Sequence, residues 1–166
     1  MRRTTAALAV GALLLGGAAS ASAASARAEV PDAIKVPTGN LKIATFHGEG
    51  VQIYGCTGGT WTLLQPAAVL TDHHRPVAIH SKGPTWTSIA DGSAVRATAV
   101  ASSPQPAAIP QLLLKANLNA GDGIFGIVTY IQRLNTRGGV TPAGACSAGE
   151  QTAVQYSADY AFWDAA

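Results

Sequence analysis

Val154-Gln155-Tyr156-Ser157-Ala158-Asp159-Tyr160-Ala161-Phe162 decides the fold class. Val154, Tyr156, Ala158, Tyr160 and Phe162 fall on one parity, while Gln155, Ser157 and Asp159 fall on the other. A repeat of two places successive side chains on opposite faces of an extended chain, so this stretch predicts a half-buried strand that closes the fold at its C-terminus.

Working backward, Gly123 to Leu134 carries Ile124, Val128 and Tyr130 on one parity and Phe125, Ile127 and Ile131 on the other. Apolar residues on both faces predict a strand in the middle of a core. Ile109 to Leu118, with Pro110 ahead of Leu112, Leu113 and Leu114, fits either a short helix or another buried strand, and periodicity does not decide between them. Val51 to Cys56, Thr60 to Leu64, Val77 to Lys82 and Ala94 to Val100 are short runs rich in β-branched or aromatic residues. Gly58-Gly59, Asp72 to Pro76, Gly83-Pro84 and Asp91-Gly92 punctuate them. The pattern predicts an all-β domain, an antiparallel sandwich or barrel with at most one or two short helices.

The other end of the chain speaks to compartment. Arg2 and Arg3 precede an apolar run from Ala6 to Ala19, and small-residue sites end in Ala23 and Ala28. This is the layout of a secretory signal peptide; the run is broken by Gly11, Gly16 and Gly17 and falls short of the roughly 20 residues that cross a bilayer. The expected organisation is a signal peptide over 1–28, an extended arm with Pro31 and Pro37 over 29–42, and a single β domain over 43–166. All 9 acidic residues lie beyond Ala28 but Arg2, Arg3 and Arg27 do not, so the processed chain carries 8 basic residues against 9 acidic and a net charge of −1. That balance argues against a nucleic-acid partner, and with the signal removed no segment is apolar enough for a membrane span. The expected location is outside the cytoplasm, secreted or in the cell envelope.

Two cysteines remain, Cys56 and Cys146, with no metal-ligand spacing around them. In an oxidising compartment an even count reads as one disulfide, here fastening an early strand to the loop ahead of the last one. Closing so long a loop is worth roughly 4 kcal/mol in the chain-entropy model.

QIYGC (52–56), GPTW (83–86), DGS (91–93) and the run VTYIQRLNTRGG (128–139) stand in an order that resembles a family of secreted bacterial and fungal proteins catalogued as domain of unknown function 3455. Cys146 and the ending Tyr156-Ser157-Ala158-Asp159-Tyr160 are similar to the same pattern, and the resemblance runs from about Ile43 to Phe162. It implies a secreted single domain with a disulfide and brings no activity with it. The paired histidines between Asp72 and Pro76 match no feature of that pattern.

Gly121-Asp122-Gly123-Ile124-Phe125-Gly126 satisfies G-x-G-x-x-G, but β-branched residues follow it where a nucleotide fingerprint needs a helix, so it reads as a turn and no cofactor is expected. His47, His73, His74 and His80 show no helical metal spacing, and no metal site is expected. Ser81, Ser88 or Ser93 combine on paper with His80 and Asp91, yet no G-x-S-x-G elbow supports a nucleophile. Glu49, Asp72, Asp91 and Asp122 sit beside Gly or His in turns rather than as a paired acid and base.

Binding draws on other residues. Trp61, Trp86, Trp163, Tyr54 and Tyr130 supply aromatic faces for a sugar or another amphipathic ligand; alternation assigns Trp61 and Tyr130 to the core, whereas Trp86 follows the turn at Pro84. Arg133 and Arg137 flank Asn135-Thr136 and are expected at one strand end, as an anion pocket or as partners of Asp122, Glu150 or Asp159. The expected ligand-binding residues are therefore His80, Trp86, Arg133 and Arg137 in a non-catalytic module for a small molecule or glycan. A small extracellular enzyme using His80 and a structural surface protein are the alternatives. Oligomeric state is not legible.

Overall fold

In a computed structural model, which describes residues 29–166, the chain forms one closed antiparallel barrel. The expected signal peptide at 1–28 lies outside the described residues. Eight strands follow in order: β1 (Asn40–Thr57), β2 (Thr60–Asp72), β3 (Arg75–Ser81), β4 (Thr85–Ser88), β5 (Ala94–Ser103), β6 (Gln111–Ala120), β7 (Tyr130–Gly138) and β8 (Gln151–Ala165). Each pairs with its sequence neighbour, and β8 pairs with β1 from Ala165 opposite Asn40 to Gln151 opposite Gly55. Of the two all-β architectures expected, the chain adopts the barrel. No helix among the described residues is long and apolar enough to cross a membrane.

The repeat in β8 performs as its sequence requires: Tyr156, Ala158, Tyr160 and Phe162 are buried and join the core. Phe162 lies 4.8 Å from Phe125 and 5.7 Å from Phe46, centroid to centroid, in tilted pairs. The leucine run is a strand rather than a helix. Leu114 pairs with Ile131 and with Ala99, and an element between two strands of a closed barrel must offer both of them its backbone groups.

Two segments depart from expectation. Gly123 to Thr129 is not strand but a loop whose Phe125 and Val128 are buried. Side chains hold it there: Asn119 Nδ2 donates to the Phe125 and Val128 carbonyls, and Phe125 N–H donates to Ser93 Oγ. A Cβ at Gly126 would stand 2.1 Å from the Gly121 carbonyl, so the turn closes more tightly than another residue allows. The expectation of burial on both faces survives further on, where Ile131 faces the core and Gln132 lies beneath a 3-10 turn at Asp32–Ile34. Gln132 Nε2 donates to the Ile34 carbonyl at 2.7 Å, while its Oε1 accepts from Trp163 Nε1 at 3.0 Å. Trp61 and Tyr130 are half-buried and stand outside the core cluster.

Because neighbouring strands alternate in direction, the β1–β2, β3–β4, β5–β6 and β7–β8 connections gather at one end. The Phe125 loop fills the opposite end. At the first end the Cys56–Cys146 disulfide spans 90 residues and ties the β7–β8 loop to β1. Tyr54 Oη donates to the Gly139 carbonyl at 2.6 Å, and Thr136 Oγ1 to the Ile109 carbonyl at 2.6 Å. This end is thus braced by the crosslink and by side-chain hydrogen bonds.

Replacing both cysteines by serine is expected to destabilise the protein by about 3 kcal/mol, read as a fall in Tm of about 10 °C by circular dichroism. A fall of under about 2 °C would mean that the hydrogen bonds brace this end without the crosslink.

Candidate functional site

The core-facing rows of the barrel are apolar at the Phe125 end and turn polar toward the braced end. In β1 the inward row runs Phe46, Gly48, Gly50, Gln52, Tyr54, with Gln52 buried at 1% exposure. In β3 it runs from Ala78 to His80, which stands directly opposite Trp86 of β4. Their rings stack at 4.2 Å with planes 7° apart, and Tyr160 meets Trp86 edge-on at 5.5 Å. In β7 the row runs from Ile131 to Arg133, which lies between Leu112 of β6 and Tyr160 of β8. Gln52, His80, Trp86, Arg133 and Tyr160 line a cavity of about 270 Å³, whose wall continues through Leu63, Leu64, Gln65, Pro66 and Pro84. Leu63 and Leu64 are 53% and 41% exposed, so the mouth is apolar while the depth is polar.

His80 Nδ1 faces the Thr85 carbonyl at 3.0 Å, and since a carbonyl only accepts, this nitrogen carries the proton. The neutral ring keeps its lone pair on Nε2. Burial pushes the imidazolium down from 6.5 to about 4; the Thr85 carbonyl opposes that shift, and the Arg133 charge adds to it.

Arg133 is anchored by Nε and Nη2, which both donate to the Pro110 carbonyl at 3.1 and 2.8 Å. Burial disfavours its charge, and the surrounding oxygens that offset this belong to the phenols of Tyr160, Tyr156 and Tyr54 rather than to a carboxylate. The Tyr156 and Tyr160 hydroxyls are 3.1 Å apart, and burial raises both phenols above their ordinary value. Among the described residues no carboxylate stands within ion-pair distance of Arg133. Two more donors in the wall, Trp86 Nε1 and Gln52 Nε2, are buried without a hydrogen-bond partner. Gln132, on the outer face, has both its amide atoms engaged.

The structure brings together His80, Trp86 and Arg133 and leaves Arg137 apart. Arg133 and Arg137 are four residues apart and share a face in an unbroken strand. Between Leu134 and Arg137, however, β7 advances three residues while β8 advances two, and Asn135 adopts φ +51°. The extra residue reverses the alternation and sends Arg137 outward beside Glu49 and Ser157. Neither arginine forms an ion pair with Asp122, Glu150 or Asp159.

The hydrolase constellation is not assembled. Ser88 Oγ accepts from Ala90 and Asp91 N–H, Ser93 Oγ accepts from Phe125 N–H, and the Asp91 carboxylate caps the Ser93 and Ile124 N–H groups. His73 and His74 form the β2–β3 turn with φ of 44° and 65°. His47 lies on the outer face, 2.8 Å from Asp159. Sequence reasoning missed Gln52, Leu64 and Tyr160 as cavity residues. The one available signal was a glutamine two residues ahead of Tyr54, on the inward parity of a strand.

A family model described as "Protein of unknown function (DUF3455)" matches residues 73–164, just over half of the chain. The matched segment contains His80, Trp86, Arg133 and Tyr160; Gln52 and Leu64 precede it. No curated protein and no solved structure matches.

Two variants probe this geometry. A Cβ at Gly48 would stand 2.8 Å from Tyr160 Cε2, and a ring packed on Trp86 and His80 has little room to withdraw. Gly48→Ala is expected to lower stability by about 2 kcal/mol in urea unfolding; a change within about 0.5 kcal/mol would mean that the ring moves freely. For His80 the folded value lies below the unfolded one, so its neutral form favours the fold. That contribution is complete above pH 6.5 and is lost as the pH falls toward about 4, where the unfolded chain alone binds the proton. Over this window the native protein should lose up to about 3 kcal/mol more than His80→Phe, and parallel stability profiles would place the imidazole in a wetter setting.

Proposed function

The chain belongs to the DUF3455 family, whose description assigns no activity, and we propose from the barrel mouth that it is a non-catalytic binding protein of the extracellular space or cell envelope. Its ligand is a small amphipathic molecule held at the braced end of the barrel. The observation that carries this reading is the cavity itself: in a wall of aromatic and aliphatic side chains, Trp86 Nε1 and Gln52 Nε2 have no partner among the described residues and Arg133 has no counter-charge among them. A buried donor without an acceptor costs about 1–3 kcal/mol, and a native fold keeps such groups where water or a bound molecule satisfies them. Few convergent polar groups in a mostly apolar concavity are the usual make-up of a small-molecule site.

The alternatives draw less support. A glycan platform needs an open aromatic face, but Trp86 is 1% exposed and stacked on His80. An enzyme needs a nucleophile or a carboxylate beside His80, and Ser88, Ser93 and Asp91 are engaged elsewhere. A purely structural role leaves the unpartnered donors without a reason. Placement outside the cytoplasm is supported by the Cys56–Cys146 disulfide and by the leader-like sequence ahead of residue 29.

Thermal-shift and tryptophan-fluorescence titrations with short-chain and single-ring acids, alcohols, oligosaccharides and divalent metals test the reading. A small amphipathic compound is expected to raise Tm, by an amount worth about 2.7 kcal/mol at a hundredfold excess over Kd, and to change the Trp86 emission. Leu64→Asp, which charges the apolar rim, is expected to abolish both effects. A response to oligosaccharides or metals alone would overturn the proposal.

A further inference from the structure

Resting on that reading, we infer that the ligand is a monocarboxylate with a compact apolar body, bound with its carboxylate inward on Arg133, Trp86 and Gln52 and its body against the leucines of the mouth. The chemistry of the depth fixes the sign of the ligand. A guanidinium and an indole N–H can donate hydrogen bonds and cannot accept them, so Arg133 and Trp86 are satisfied by an acceptor alone. With Nε and Nη2 of Arg133 held by the Pro110 carbonyl and the Tyr160 phenol beside the guanidinium, its remaining N–H groups are left for an acceptor. Among the described residues that line the cavity, Arg133 carries the one fixed charge, because His80 is neutral above its depressed titration and Tyr160 is held in its phenol form.

One guanidinium balances one negative charge. A phosphate dianion would leave a second charge uncompensated in a low-dielectric site, whereas a carboxylate is neutralised and finds two further N–H donors. Outside the depth the wall is Leu63, Leu64, Gln65, Pro66, Pro84 and Leu112, which offers one neutral amide and no charged side chain to a second charged group. The volume of about 270 Å³ lies just below the range of drug-sized pockets, so the apolar body is a single ring or a short chain. The orientation follows from burial: Trp86 and Gln52 are each 1% exposed, while Leu63 and Leu64 stand at the surface. The resulting arrangement is the reverse of a detergent on a protein surface, with the head inside and the body near water.

The test is a matched pair measured by isothermal titration calorimetry on the intact protein: 3-phenylpropanoate and 3-phenylpropanamide. They share body and shape and differ in charge. The acid is expected to bind at least about tenfold more tightly than the amide, and Arg133→Met to remove that preference. Trp86→Phe keeps the ring stack but deletes the donor, and should weaken the acid about fivefold or more. Equal affinity for acid and amide would overturn the carboxylate assignment and leave the ligand-binding reading standing. Binding of neither up to about 10 mM, with the Tm unmoved, would overturn both. Since the acid–amide comparison is made on the unmodified protein, it decides the matter even if a variant fails to fold.

Discussion

The ladder between β1 and β8 is the constraint on which the rest of the molecule depends. Without it the chain is an eight-stranded meander with two open edges and no inside. With it, every strand has two neighbours and each side chain is assigned to the interior or to solvent. The pairing joins residues more than 95 positions apart in sequence, from Gly55 with Gln151 to Asn40 with Ala165, and the two strands are the longest in the protein. Its inward faces are complementary in size: Gly48 and Gly50 of β1 stand opposite Ala158 and Tyr156, and the space Gly48 leaves is where the Tyr160 ring lies, while Gly50 lets Ala67 and Ala68 of β2 come close. A pair of bulky residues there would hold β1 away from the centre and open the cavity wall.

Closure also explains what sequence pattern could and could not reveal. The face of β8 was legible because five apolar or aromatic residues share one parity and polar ones hold the other as far as Asp159. The disulfide was legible because Cys56 and Cys146 are the two cysteines of the chain. The choice between sandwich and barrel was not legible, since it rests on a non-local pairing that leaves no periodic trace in either strand. Nor was the first half of β1: Gly48 and Gly50 lower local strand preference, and they are present to let the Tyr160 ring and the β2 backbone approach. The Gly123 to Thr129 loop misleads by the opposite route. Its apolar residues are buried as a stopper at the barrel's end, so burial there reports position and not strand conformation.

The site was half visible for similar reasons. His80 and Trp86 stand on either side of a short turn, so their proximity follows from a hairpin. Arg133 was visible as a charge at the end of an apolar run. What separated it from Arg137 was a single extra residue in β7, a feature of pairing between strands that one strand's sequence does not display. Gln52 was hidden because a glutamine in a strand is ordinarily an outward residue, as Gln155 is.

A barrel interior built for stability alone would continue the aromatic packing of Phe125, Phe46 and Phe162 to both ends. This one changes character along its axis. Replacing the row Gln52, His80 and Arg133 with aliphatic residues would remove two unpartnered or uncompensated groups and the desolvation that depresses His80, so their presence lowers the stability of the isolated fold. The penalty is confined to the end where the disulfide and the Tyr54 and Thr136 hydrogen bonds hold the loops, while the apolar end supplies the core. Bracing one end from outside frees its interior from the task of holding the strands together. A polar cavity can then exist within the barrel without opening it, and the same rigidity keeps Arg133, Trp86 and Gln52 oriented.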